Sequence, residues 1–157
     1  MKFRKKIITE DVLAQYLSFY RFKDYKVVFT NGCFDVLHRG HIEYLARAAE
    51  FGDVLIVAVN SDNSVRKLKG EGRPVNNEED RMLLLASLGF VDNVILFDEE
   101  TPERLIRKIV PDVLVKGGDY TKDKIVGANI VEQKGGKVEI IKYISGYSST
   151  AIIDKQK

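Results

Sequence analysis

Two histidines separated by a basic residue and a glycine are the residues whose spacing most directly suggests chemistry. They occur as His38, Gly40 and His41 at the end of the segment TNGCFDVLHRGH. Residues three apart at a helix start face the same side, and glycine lets an anion approach the backbone closely. The free amides and positive dipole end of a helix N-terminus also favour an anion. The arrangement therefore suits a triphosphate.

The elements around this segment alternate between strand and helix. A helix is predicted from His38 to Gly52, another opening at Asn76 with Glu79 as its capping-box partner, and a third opening at Thr101 and Pro102. Apolar runs of strand length occur at Lys26–Thr30, Val54–Asn60, Asn93–Phe97, Asp112–Lys116 and Lys137–Ile141. This alternation predicts an α/β fold, a Rossmann-like three-layer α/β/α arrangement with a five-stranded, mostly parallel sheet.

Ligands of such sheets bind beyond the carboxyl ends of the strands, so functional residues should follow Thr30, Asn60, Lys116 and Ile141. One long irregular stretch, Leu68–Val75, is glycine-rich and basic. We expect it to be a mobile lid that closes over the ligand.

Composition sets the broad class. The 157 residues fit one domain, which we divide into a helical extension over 1–25 and a core over 26–157. With 25 basic and 23 acidic side chains the net charge is +2, too balanced for a nucleic-acid-binding protein. The single cysteine, Cys33, indicates a reducing cytoplasm, and neither a transmembrane run nor an export signal is found.

The pattern T-x-G-x-F-D-x-L-H-x-G-H resembles the signature of the HxGH cytidylyltransferase-like nucleotidyltransferases. A second signature of that superfamily, a serine- and threonine-rich turn opening the last helix, is similar to GYSSTAII at 146–153. The resemblance implies that the histidines contact the triphosphate around the α-phosphorus and that the turn binds the β- and γ-phosphates. Glycerol-phosphate cytidylyltransferases carry an arginine where this chain has Tyr143, which counts against their substrate.

The chain resembles more closely the D-glycero-β-D-manno-heptose 1-phosphate adenylyltransferases of ADP-heptose synthesis. The similar stretches include KGEGRPVN, TPERLI and VKGGDY. The resemblance implies ATP and a sugar phosphate as substrates, Mg²⁺ carried with ATP, a separate sugar kinase in the pathway, and a homodimer, for which residues 1–25 offer an interface. We expect no nucleic-acid partner and no association with a membrane.

The residues and the resemblance together assign three roles. The candidate catalytic residues are His38, His41 and Lys69. The candidate nucleotide contacts are Thr30, Asn31, Gly32, Phe34, Gly40, Arg81, Lys116, Gly117, Asp119, Ser148, Ser149 and Thr150, and the candidate acceptor contacts are Asp35, Asn60 and Asp62.

Several alternatives stay open at this point. The histidines are alternatively structural or zinc ligands with Cys33 or Asp35, although spacing supplies only two of the usual three or four ligands. Lys67 competes with Lys69, and Asp35 fits a helix-capping bond as well as an acceptor contact. The segment KGGDY fits a plain turn. At the level of function, cytidylyl transfer to a small acceptor such as glycerol 3-phosphate, and a non-catalytic nucleotide-binding module, compete with adenylyl transfer.

Overall fold

The computed structural model describes residues 1–143 and 146–155. It contains one six-stranded sheet in which every strand pair is parallel, with the order β1-β4-β3-β2-β5-β6. The strands are β1 Ile7–Ile8, β2 Val27–Gly32, β3 Val54–Asn60, β4 Asn93–Phe97, β5 Val113–Gly117 and β6 Lys137–Ile141. The expected sheet was correct in class and orientation, but its strand number was wrong.

Helices cover both faces of the sheet. The helices are α1 Glu10–Phe22, α2 Arg39–Ala49, α3 Asp62–Lys69, α4 Glu78–Ser87, α5 Glu103–Ile109, α6 Ala128–Gln133 and α7 Ser149–Asp154, with short 3-10 segments at Lys2–Lys6 and Lys122–Lys124. Successive residues of a strand point to opposite faces, so Val27 and Phe29 of β2 pack in one apolar cluster with α1, α5 and α6. Val28 packs in a second cluster with α2 and α4.

The N-terminal residues are part of the sheet and its core rather than an extension. Ile7 and Ile8 form β1 against β4. Leu13, Leu17 and Tyr20 of α1 are buried in the first cluster. Residues on both sides of position 25 thus contribute to one core, because the inner face of α1 has the apolar surface that one side of the sheet needs.

The start of α4 and the start of the irregular stretch differ from expectation. Asn77, not Asn76, caps α4 by accepting a hydrogen bond from the Asp80 amide at 2.9 Å. Asn76 is already engaged, since its side chain donates to the Asp35 carbonyl at 2.8 Å. Helix α3, capped by Ser61, extends through Lys69, so the irregular stretch begins at Gly70 instead of Leu68.

Among the described residues, no helix has both the length and the apolar run needed to cross a membrane.

Candidate active site

The candidate site lies where the strand order reverses. β2 pairs with β3 on one side and with β5 on the other, so the connections after β2 and β5 diverge and leave a gap above the sheet. Two clefts of about 400 Å³ each open there. The first, here called the histidine cleft, is lined by both histidines, and the second, the side cleft, extends toward Asn60 and Thr101.

The two histidines stack against each other at the start of α2. Their ring centroids are 3.9 Å apart with an interplanar angle of 23°. A Cβ on Gly40 would lie 3.0 Å from the His38 ring and 3.1 Å from Tyr147 Cβ, so a larger residue there would require these side chains to shift. Both Nδ1 atoms are buried and have no hydrogen-bond partner in the described part of the chain. Buried polar atoms without a partner are uncommon in folded proteins, and a functional role is one explanation for them.

Burial disfavours the protonated form of both imidazoles. Burial lowers the pKa of His41 from 6.5 to about 4, and the neighbouring His38 adds to this lowering. Burial also lowers the pKa of His38. An anion bound between them would favour the protonated form and reverse this shift, because an opposite charge stabilises the imidazolium.

The serine-rich turn meets the histidines from the other side of the cleft. Ser149 Oγ donates to the Val36 carbonyl at 2.9 Å, which ties the start of α7 to the turn before α2. Ser148 Oγ accepts from the Ala151 amide at 3.3 Å and caps α7. Ser148, Ser149 and Thr150 all line the histidine cleft, as expected for a phosphate-binding turn.

Two lysines lie at the junction of the clefts. Lys69 and Lys116 line both of them, whereas Lys67 lines neither. Lys116 Nζ is 3.4 Å from Asn31 Oδ1, and burial lowers the pKa of this lysine. The structure therefore brings Lys69, and not Lys67, to the position where the contents of the two clefts would meet.

Asp35 is buried, and its carboxylate accepts hydrogen bonds from the segment that follows α3. Its Oδ2 accepts from Arg73 Nε at 2.5 Å, and its Oδ1 accepts from the amides of Val75 at 2.7 Å and Asn76 at 3.2 Å. Asp35 thus holds the Arg73–Asn76 part of the expected lid. Gly70 and Gly72, with φ of +90° and +78°, flank the short exposed part that remains.

Several predicted contacts lie outside the cleft linings. Arg81 is fully buried and donates to the carbonyls of Cys33 and Asn76 and to Asp62 Oδ1. Thr30 is also fully buried, with its hydroxyl 2.6 Å from Tyr44 Oη. In this structure Arg81, Asp62 and Thr30 support the walls rather than face the ligand space, and Asp119 is exposed beside it. The remaining predicted contacts line one or both clefts, at Asn31, Gly32, Phe34, Gly40, Gly117 and, in the side cleft, Asn60.

Sequence reasoning gave no role to the aromatic wall of the histidine cleft, and it counted Arg73 only among the charges of the expected lid. Tyr44, Tyr120, Tyr143, Tyr147 and Arg73 all line this cleft. Tyr143 was noticed for another reason, as the residue that replaces an arginine. The others carry no spacing signal, because they come from separate elements that the fold brings together.

A protein-held metal is not suggested by the donor set. No group of three or more His, Cys, Asp or Glu side chains is suitably arranged within residues 1–143 and 146–155. Asp35 lines the histidine cleft, but its oxygens are occupied by Arg73, Val75 and Asn76. A magnesium ion here would be held by substrate phosphates and water, as is usual for this ion.

The fold and this site define a known class of protein. The sequence profile described as cytidylyltransferase-like matches residues 29–155. The chain belongs to this family.

Two curated proteins are similar to this chain over most of its length. The chain is 51% identical over 150 residues to the bifunctional protein HldE of Geobacter metallireducens, covering 96% of this chain and 31% of that protein. It is 57% identical over 132 residues to the protein of the same name from Campylobacter concisus, covering 84% and 27%. The chain thus spans about a third of the length of these curated relatives.

A solved structure shares the fold. The crystal structure of the lipopolysaccharide core biosynthesis protein from Thermoplasma volcanium superposes with a TM-score of 0.61 at 31% sequence identity. The superposition covers 79% of this chain and 99% of that one.

Proposed function

We propose that this chain transfers AMP from ATP to D-glycero-β-D-manno-heptose 1-phosphate, giving ADP-heptose for lipopolysaccharide core synthesis and releasing pyrophosphate. The observation that carries the proposal is the histidine cleft, where a stacked neutral histidine pair, a hydroxyl-rich turn and two lysines surround one space. The relatives named HldE and the lipopolysaccharide core biosynthesis protein support the choice of acceptor.

The triphosphate fits the histidine cleft and the acceptor fits the side cleft. The histidine cleft contains the groups that suit phosphates, namely His38, His41 and the Ser148–Thr150 hydroxyls. The side cleft offers Asn60 and Thr101, which suit sugar hydroxyls, above apolar residues such as Leu114. The α-phosphorus would then lie at the junction, between Lys69 and Lys116.

In the reaction an oxygen of the sugar phosphate attacks the α-phosphorus of ATP. A new P–O bond forms, the bond from the α-phosphorus to the bridging oxygen breaks, and pyrophosphate leaves with both bonding electrons. A phosphate monoester is already nucleophilic at neutral pH, so positioning and charge neutralisation are the contributions required of the protein. Lys69 and Lys116 neutralise the charge that accumulates on the α-phosphoryl oxygens. When bound together with ATP, Mg²⁺ would neutralise part of the triphosphate charge.

The histidines contribute by changing their protonation state. Burial lowers the pKa values of both histidines, and phosphate oxygens between them would raise these pKa values. A protonated imidazole then donates a charge-assisted hydrogen bond to a phosphoryl oxygen.

We further propose that the protein works in the cytoplasm as a homodimer.

The proposal is tested by pairing ATP, CTP, GTP and UTP with heptose 1-phosphate, glucose 1-phosphate and glycerol 3-phosphate, and measuring pyrophosphate release. ATP with heptose 1-phosphate should give the highest kcat/KM. His38→Ala and His41→Ala should each lower kcat by about 10²–10⁴-fold, the range for loss of a charge-stabilising group. Arg66→Gln, an exposed change outside both clefts, should leave kcat unchanged.

Three outcomes would contradict the proposal. A preference for CTP would indicate a cytidylyltransferase. ATP binding without pyrophosphate release from any pair would indicate a nucleotide-binding module. Near-normal turnover in both histidine variants, with unchanged circular dichroism, would remove the histidines from the mechanism.

A further inference from the structure

Arg73 is a charged residue of the histidine cleft that the proposed mechanism has not used. Its side chain is 15% exposed, and it lines the histidine cleft but not the side cleft. Only its Nε is engaged, by Asp35 Oδ2. In the described part of the chain, no hydrogen bond involves its two terminal nitrogens. An arginine held by one edge presents the other nitrogens to a ligand in a fixed orientation.

Asp35 gives this arginine its orientation. The carboxylate is 1% exposed, and its oxygens accept hydrogen bonds from Arg73, Val75 and Asn76. Burying a charge without a partner is costly, which keeps the pair together. Asp35 was predicted to contact the acceptor, but its contacts make it a positioning residue for Arg73.

The ligand that Arg73 faces follows from the cleft it lines. That cleft also contains the two histidines and the Ser148–Thr150 turn, and it does not extend to Asn60 or Thr101. We propose that Arg73, oriented by Asp35, binds the β- and γ-phosphates of ATP and stabilises the pyrophosphate that leaves. This inference rests on the proposed placement of ATP in the histidine cleft. It does not depend on the identity of the acceptor.

The proposal predicts that Arg73 recognises the outer phosphates and not the nucleoside. Titration calorimetry with inorganic pyrophosphate, AMP and ATP separates these contributions. Arg73→Gln should weaken pyrophosphate and ATP binding by about 10–100-fold, the range for a charge-assisted hydrogen bond, while AMP affinity stays the same. Asp35→Asn should change the same affinities in the same direction by a smaller factor. Arg66→Gln is the matched control for loss of one positive charge.

Arg73→Lys tests whether a loss of pyrophosphate affinity comes from the missing positive charge or from a displaced loop. It keeps the charge and should retain part of the pyrophosphate affinity that Arg73→Gln loses. Hydrogen exchange at the Val75 and Asn76 amides reports whether the segment stays bound to Asp35.

Unchanged pyrophosphate affinity in Arg73→Gln would overturn the inference, as would equal weakening of AMP and pyrophosphate. Equal losses in Arg73→Lys and Arg73→Gln, with faster exchange in both, would also overturn it, because the loop and not the charge would be responsible. If the sugar-phosphate panel fails while Arg73→Gln loses pyrophosphate affinity selectively, the proposed acceptor is wrong and the role of Arg73 stands.

Discussion

The neutral state of His41 has a consequence for stability that can be measured without any substrate. In the unfolded chain a histidine has a pKa near its ordinary value of 6.5, whereas burial holds the pKa of folded His41 at about 4. Between these two values the unfolded chain binds a proton that the folded chain does not. Falling pH therefore favours unfolding, and the stability present above pH 6.5 is lost progressively down to pH 4.

The size of this loss follows from the two pKa values. At pH 4.5 the difference between 6.5 and about 4 corresponds to roughly 2.5 kcal/mol of lost unfolding free energy, relative to pH 7.5. This is a large share of the ~5–15 kcal/mol typical of a small domain. His41→Gln removes the titrating group but retains a neutral polar side chain. The variant should therefore lose less stability on acidification than the parent chain.

The assay is urea unfolding followed by circular dichroism at pH 7.5, 6.5, 5.5 and 4.5. Acid-sensitive carboxylates such as Glu10, whose pKa the Arg104 ion pair lowers to about 2, affect both proteins equally and cancel in the difference. His38→Gln is the second control, since it is the one other histidine of the sequence. It should give a smaller change, because His38 is less deeply buried. Parallel stability curves for the parent chain and His41→Gln would refute the conclusion that the folded protein keeps this imidazole neutral.

Two further predictions concern Lys69 and Arg81. Lys69→Ala should reduce kcat more than it weakens ATP binding, because the lysine lies at the junction where charge develops, and Lys67→Ala is the control outside both clefts. Steady-state kinetics and ATP titration check this, and a defect confined to ATP affinity would contradict it. Arg81→Met should lower the unfolding free energy by about 3 kcal/mol, since it leaves three acceptors without their donor. Urea unfolding measures the loss of unfolding free energy, and a change below about 1 kcal/mol would show that the Arg81 hydrogen bonds contribute little to stability.

The parts of the fold with a repeating pattern were predictable from sequence. The five long strands were found because runs such as 54–59 in β3 are entirely apolar. Helix α5 was found because Leu105, Ile106 and Ile109 repeat at helical spacing, and all three are buried. Strand β1 was missed because two isoleucines are too few to form a pattern. Helix α3 was missed because Ser64 and Val65 are its only buried residues, so it shows no apolar stripe.

The competition between two adjacent asparagines shows why local rules reach a limit. Asn76 and Asn77 each have an acidic residue three positions later, so the capping-box pattern fits both. The choice is made by a distant residue, because Asp35 binds the amide of Asn76 and its carbonyl accepts from the Asn76 side chain. Asn77 is then left to cap α4. Such a contact across about forty residues leaves no trace in the local sequence.

Contacts with distant residues also hold the turn between β2 and α2. The turn between β2 and α2 is fixed from three directions, by Arg81 at the Cys33 carbonyl, by the Arg73–Asn76 segment at Asp35, and by Ser149 at the Val36 carbonyl. Each support comes from a different element, and none of them is part of the signature TNGCFDVLHRGH. A site that stabilises charge by fixed dipoles and positive groups works best when it need not reorganise during the reaction. Under the proposed function, the signature provides the groups that would face the phosphates, and the supports hold those groups in place.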